Sequence, residues 1–135
     1  MKKIKIKRLH LILFIVLLFL TATWAVVRFA IGGNEDNWIK DERGVYVKHG
    51  NPAETPGAVA WQQAAISCAY DLFDNMSEEK TSQCLGTCGN YAVDLVHVPR
   101  TPIDDLPEYQ CSDYGNGFVN HFIELDKNRE IVRIV

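Results

Sequence analysis

The sequence predicts an α+β protein: an N-terminal transmembrane helix followed by a small exported domain with one main helix on a three- to five-stranded antiparallel sheet, stapled by disulfides. Three observations predict it. Residues 11–27 run for seventeen positions without a charge, behind five cations. One later stretch repeats its apolar residues at helical spacing. The segments around that stretch are β-branched runs cut by Pro and Gly, as short strands are.

The leader comes first. Lys2, Lys3, Lys5, Lys7 and Arg8 precede the uncharged run, which reaches 21 residues when it is extended through Arg28 to residue 31. A helix rises about 1.5 Å per residue, so this length matches a hydrocarbon core of roughly 30 Å. The basic flank belongs in the cytoplasm, which sends the rest of the chain outside. A secretory signal has an apolar region of about 7–15 residues and a small-x-small cleavage site. The nearest candidate here, Thr23-Trp24-Ala25, carries a bulky indole, so a retained signal-anchor is expected over a cleaved signal. Trp24 and Arg28 suit the outer interface, where an indole sits among headgroups and a long cation snorkels. The membrane is thus the expected partner of residues 9–31. The chain divides into a basic stub and anchor (1–31), a linker (32–37, GGNEDN) and an exported domain (38–135).

Charge excludes one class of partner. Beyond residue 31 there remain eight Lys and Arg against seventeen Asp and Glu, a net charge of −9. So acidic a domain is repelled by nucleic acid and by anionic lipid, and a solvated, soluble surface is its simplest meaning. About 100 residues support one domain.

Within that domain, Trp38-Ile39-Lys40 and Val45 to Lys48 flank Asp41-Glu42-Arg43-Gly44, which reads as a hairpin with Gly at the turn exit. Residues 49–56 (HGNPAETP) should be extended and irregular. Thr55 followed by Pro56 is a helix start, with Thr as N-cap and Pro in the first helical position. Trp61, Ala65, Cys68, Leu72 and Met76 then mark one face of a helix over about 57–76. Residues 77–82 are polar and read as a loop. Residues 91–98 (YAVDLVHV) suit a strand stopping at Pro99, although a short helix also fits. Residues 99–117 form a long loop that Cys111 ties down. Residues 118–126 and 130–135 are two final strands.

Cys68, Cys84, Cys88 and Cys111 all lie on the exported side. In an oxidising compartment, four cysteines read as two disulfides with three possible connectivities. Each bridge stabilises a domain of this size by roughly 2–4 kcal/mol. The CLGTC segment should be stapled on one side to the helix and on the other to the long loop. Cys68–Cys84 with Cys88–Cys111 achieves this, and so does the crossed pairing. Zinc is the alternative: Cys84 and Cys88 have a workable spacing, and Cys111 with His97 or His121 would complete a tetrahedral set. No second close cysteine pair supports it, and no cofactor is expected.

Gly86-Thr87-Cys88-Gly89-Asn90-Tyr91-Ala92, followed by His121 on a strand, resembles part of the transglutaminase-like cysteine-enzyme pattern. That resemblance implies Cys88 as nucleophile at a helix start and His121 as base, with a thiolate attacking an acyl carbon. The chain departs from the pattern at Asn90, where the family has an acid, and in having no aspartate after Asp126 for a third triad member. The quieter reading of His121 and His97 is a hydrogen bond to a neighbouring carbonyl or Asp, and His49 is a turn residue. Asp104, Asp105, Glu108 and Asp113 lack the spacing of a calcium loop. Asn75-Met76-Ser77 is a glycosylation triplet at a helix end. The anchor followed by the Trp38 to Pro52 segment is also similar to small uncharacterised single-pass membrane-anchored proteins of uncultivated microbes, which implies a shared architecture and no activity.

The expected function is that of a membrane-anchored, extracytoplasmic binding or structural module of the cell envelope. The alternative is a cysteine acyl-transferase or hydrolase using Cys88 and His121. A thiol-redox protein is disfavoured because CxxC is missing. Trp38, Tyr46 or Tyr114 would line a binding patch.

Overall fold

The computed structural model describes residues 2–28, 36–76 and 82–135. In chain order the elements are α1 (Lys2–Val26), β1 (Asn37–Lys40), β2 (Tyr46–His49), α2 (Gly57–Asp74), β3 (Cys84–Cys88), β4 (Tyr91–Leu95), a 3-10 turn (Pro102–Asp105), α3 (Ser112–Gly115), β5 (His121–Leu125) and β6 (Ile131–Ile134). The chain clusters into two units, Met1–Trp38 with Lys48–Glu54, and Ile39–Val47 with Thr55–Val135. The expected loop at 77–82 and linker at 32–37 fall largely outside the described residues. What is described of the linker departs from expectation, because Asn37 already belongs to β1.

In the first unit, residues Leu9–Val26 of α1 have a mean hydropathy of 2.4, and none of that window is buried. That stretch is apolar on all sides and long enough to cross a membrane. Its two hydroxyls are satisfied within the helix. Thr21 Oγ1 donates to the Leu18 carbonyl at 3.0 Å, and Thr23 Oγ1 to that of Phe19 at 2.6 Å. Self-pairing of this kind is what a hydroxyl needs where water is scarce. Elsewhere in the unit, Trp38 Nε1 donates to the Glu54 carbonyl at 3.1 Å, and Lys48 lies 5.8 Å from the Trp38 ring centre.

β1 and β2 form a two-stranded sheet, and Gly44 takes φ +83° at the exit of the turn between them. Asp41 closes that turn by accepting from the backbone N–H groups of Arg43 (3.0 Å) and Val45 (2.9 Å). α2 covers the stretch expected to be helical, and Ala65, Cys68, Leu72 and Met76 of the expected face pack in or against the core, but the cap and Trp61 differ from expectation. Pro56 occupies the N-cap without a side-chain cap bond, so Thr55 does not start the helix. The buried stripe is Val59, Gln62, Ala65 and Ala69, while Trp61 is 74% exposed. Gln62 explains why Trp61 is left outside. Its Oε1 accepts from Tyr46 N (2.8 Å) and its Nε2 donates to the Gly44 carbonyl (2.9 Å), so a polar residue takes the inner face by satisfying the turn's main chain.

β3, β4, β5 and β6 lie side by side in that order. The sheet is mixed, which corrects the expectation of an antiparallel one. β3–β4 and β5–β6 are antiparallel, whereas β4 and β5 run parallel with Tyr91 opposite His121 and Leu95 opposite Leu125. A parallel pair needs a crossover, and the long segment after Leu95 supplies it. That segment is not the plain loop expected, since it contains the 3-10 turn and α3.

Alternation along the strands assigns two layers. Val93, Ile123, Leu125, Ile131 and Ile134 pack with Ala65 and Ala69 of α2, whose small side chains let the helix sit close to the sheet. Ala92 packs on the other face with Val119 and Cys111 of the crossover. One bridge staples each layer. Cys68–Cys88 ties α2 to β3, with Cα atoms 5.8 Å apart, and Cys84–Cys111 ties the crossover to β3, with Cα atoms 4.6 Å apart. Cys84 and Cys88 are four residues apart and would share a face in a regular strand. A bulge between Cys84 and Gly86 shifts the register, with Gly86 at φ +150°, and sends them to opposite faces.

Candidate functional site

Where the first half of α2 rises from the sheet, it leaves a pocket of about 570 Å³. Ala58, Trp61, Gln62, Ala65 and Cys68 of α2 line one side of it, and Cys88, Tyr91 and His121 come from the ends of three neighbouring strands. Register places those three in a single row, Cys88 opposite Tyr91 and Tyr91 opposite His121. Lys40 and Tyr46 complete the lining from the hairpin, and Asn90 from the β3–β4 turn.

The lining is aromatic, with few charges. The rings of Tyr91 and His121 stack with centroids 4.9 Å apart and planes 27° from parallel. His121 Nδ1 lies 3.1 Å from the main-chain oxygen of Val135. An oxygen there only accepts, so Nδ1 is assigned the proton. Burial raises the Tyr91 phenol above its ordinary value, and nearby Tyr46 adds to the rise. Lys40 Nζ lies 5.2 Å from the Tyr46 ring centre. Among the described residues no Asp or Glu lines the pocket, and Lys40 is its one Lys or Arg.

The structure therefore brings Cys88 and His121 to one pocket, and it also places Cys88 in a disulfide, 2% exposed. In this state the sulfur carries no thiolate. All four cysteines are paired, with the crossed connectivity of the two that the sequence left open. The alternative zinc set is divided in the same way: Cys88 lies on the α2 face, Cys84 and Cys111 on the other, and His97 beside Asp104. Among the described residues, the one cluster with metal-ligating atoms in reach of one another is Cys84, Asp94 and Cys111, and two of its three donors are the sulfurs of a disulfide. Asp94 accepts from Cys111 N at 2.9 Å. Burial raises its carboxyl and proximity to Glu124 adds to this, against the lowering effect of that hydrogen bond.

The second ionisable centre is structural. Asp104 is fully buried and accepts from Thr101 N (2.6 Å), Gln83 Nε2 (2.5 Å), His97 Nδ1 (2.9 Å) and His97 N (3.2 Å). Burial pushes its carboxyl up, but the hydrogen bonds from Thr101 and His97 outweigh that and hold it far below the usual carboxylate range. Both histidines thus have the partners that the quieter reading expected, a main-chain oxygen for His121 and an Asp for His97. The acids of the 104–113 stretch do not converge. Asp104 serves the turn, Asp105 pairs with Arg100 at 2.9 Å, and Asp113 accepts from the Thr87 hydroxyl at 2.6 Å. Glu124, also buried, accepts from Arg100 of the crossover and Arg133 of β6, pinning the crossover to the sheet.

Of the aromatic residues singled out from sequence, Tyr46 lines the pocket, whereas Tyr114 packs edge-on against Phe122 at 5.1 Å. Lys40, Gln62 and Tyr91 escaped notice, because nothing in their local sequence says that strand ends and a helix face will meet. Comparison with family models, curated proteins and solved structures finds no match to this chain.

Proposed function

We propose that the protein is a single-pass, membrane-anchored binding module whose domain lies outside the cytoplasm and takes a ligand in the pocket between α2 and the sheet. The pocket is the observation that carries this reading. Its volume of about 570 Å³ lies within the range of roughly 300–1,000 Å³ typical of small-ligand sites. Its walls are apolar and aromatic, with a few polar groups converging on them. The Cys68–Cys88 bridge supports one wall, so the site is preformed. An apolar α1 behind a basic stub supports anchoring, and two disulfides support an oxidising compartment.

Protease added to intact cells tests the topology. It should remove the domain and leave a membrane-bound stub, and full protection of the domain would refute the orientation. Alkylation without reduction, followed by mass measurement, should find no free thiol.

A second reading rests on one observation, that Cys88 and His121 line the same pocket. Reduction of the Cys68–Cys88 bridge would free a thiol in a pocket that His121 also lines, with Tyr91 between the two, and a cysteine acyl-transfer enzyme needs a thiol and an imidazole in one site. A free thiol at Cys88 in the protein isolated from its own compartment would favour this reading over the binding module.

A further inference from the structure

We propose that the pocket binds a small planar aromatic molecule bearing one anionic group, such as an aromatic carboxylate, with the ring against Trp61 and Tyr91 and the anion at Lys40. The inference rests on the binding-module reading and adds the ligand's chemical class.

Shape argues for a flat ring. Trp61 lines the pocket and is 74% exposed, so its ring is open to a ligand. The stacked Tyr91 and His121 rings offer a flat surface in the same pocket, and aromatic partners gain most from offset stacking at such surfaces. Gln62, by contrast, has both amide atoms committed to the hairpin main chain, so it shapes the wall without competing for the ligand.

Charge argues for an anion. The exported part has a net charge of −9, yet among the described residues no Asp or Glu lines this pocket and Lys40 does. Among the described residues Lys40 has no carboxylate within ion-pair distance; its ammonium rests near the Tyr46 ring, at 5.2 Å. The remote carboxylates are weakened by salt over about 8 Å at physiological ionic strength, so the local cation outweighs the global charge. The Tyr91 phenol, protonated at neutral pH, adds a neutral donor.

Equilibrium dialysis of the full chain in neutral-lipid nanodiscs, with empty discs as baseline, tests this with three probes of one shape: 2-naphthoate, 2-naphthylmethanol and 2-naphthylmethylammonium. Naphthoate should bind one per chain, about tenfold tighter than the alcohol, from one charge-assisted contact. Lys40→Gln should remove that tenfold preference and leave the alcohol unchanged, Lys40→Arg should retain it, and Trp61→Ala should weaken all binding. Both side chains are exposed, and unchanged near-ultraviolet circular dichroism confirms that each variant is folded. Equal binding of acid and alcohol, or an acid preference that survives Lys40→Gln, overturns the anion assignment while the pocket reading stands. Tightest binding of the ammonium overturns it in favour of a cation held by the rings. Binding indifferent to Trp61→Ala, or no binding above empty discs, overturns this inference and the small-ligand pocket together.

Discussion

The two disulfides make similar contributions through different layers, and removing them separately exposes that design. Cys84–Cys111 closes a sequence separation of 27 and Cys68–Cys88 one of 20. From loop closure in the unfolded chain, these separations correspond to about 3.6 and 3.3 kcal/mol. A small domain has only about 5–15 kcal/mol of stability in all, so losing either bridge is severe and losing both leaves little cooperative structure. The perturbations are Cys84→Ala with Cys111→Ala, and Cys68→Ala with Cys88→Ala. Urea unfolding of the full chain in detergent micelles, followed by near-ultraviolet circular dichroism, should show a loss of about 3–4 kcal/mol for each pair. Hydrogen exchange should then separate them. The first pair should release amides of the crossover, where Cys111 sits on Ala92 and Val119, and leave α2 protected. The second should loosen α2 around Cys68 and spare the crossover. A loss below about 1 kcal/mol for either pair would refute the closure argument. Loosening of α2 by the first pair would refute the assignment of one bridge to each layer.

Three further outcomes follow from particular side chains. Asp104→Asn should cost about 3 kcal/mol, because an amide places N–H groups among donors that have no other acceptor. Since the Asp104 carboxyl is lowered in the fold, its contribution is fully present above about pH 4 and lost as the pH falls toward its folded value. The variant's stability should therefore vary less with pH below 4 in urea titrations. Gly44→Ala should destabilise by more than about 1 kcal/mol, because φ is +83° and the added methyl would collide with the Ile134 carbonyl. Gly57→Ala should stabilise by about 0.5 kcal/mol, because that position is helical and open. Thermal melts of the pair check the contrasting signs.

The parts of the fold legible from sequence are those whose cause is local. The apolar run behind five cations becomes α1, helical spacing after Pro56 becomes α2, and a Gly at the turn exit closes the first hairpin. The last two strands were legible because β-branched alternation and a polar three-residue turn are contiguous in the chain. β3 was not. CLGTC has one β-branched residue, a glycine within it and another just after it, and it becomes a strand because Tyr91 to Asp94 lies alongside it. The parallel β4–β5 pairing was equally hidden, since direction depends on how the crossover returns. One position of the expected α2 face, Trp61, failed for a sharper reason, while Ala65, Cys68, Leu72 and Met76 pack in or against the core. Apolarity put Trp61 inward, whereas the hairpin's unpaired main chain drew Gln62 inward and turned Trp61 out. The site divided along the same line: Cys88 and His121 were noticed for their chemistry, and Lys40 and Tyr91 became visible only once strand ends were neighbours.

By itself, the sequence determined that a greasy helix precedes an acidic domain and that four sulfurs lie on one side of it, because charge, hydropathy and spacing act over a few residues. Which sulfur meets which was decided by tertiary structure alone. One bulge beside Gly86 changes the strand's period, so cysteines that would have faced the same way face opposite layers. The pocket came about in the same way, from a helix, a hairpin and three strand ends that chain order keeps apart.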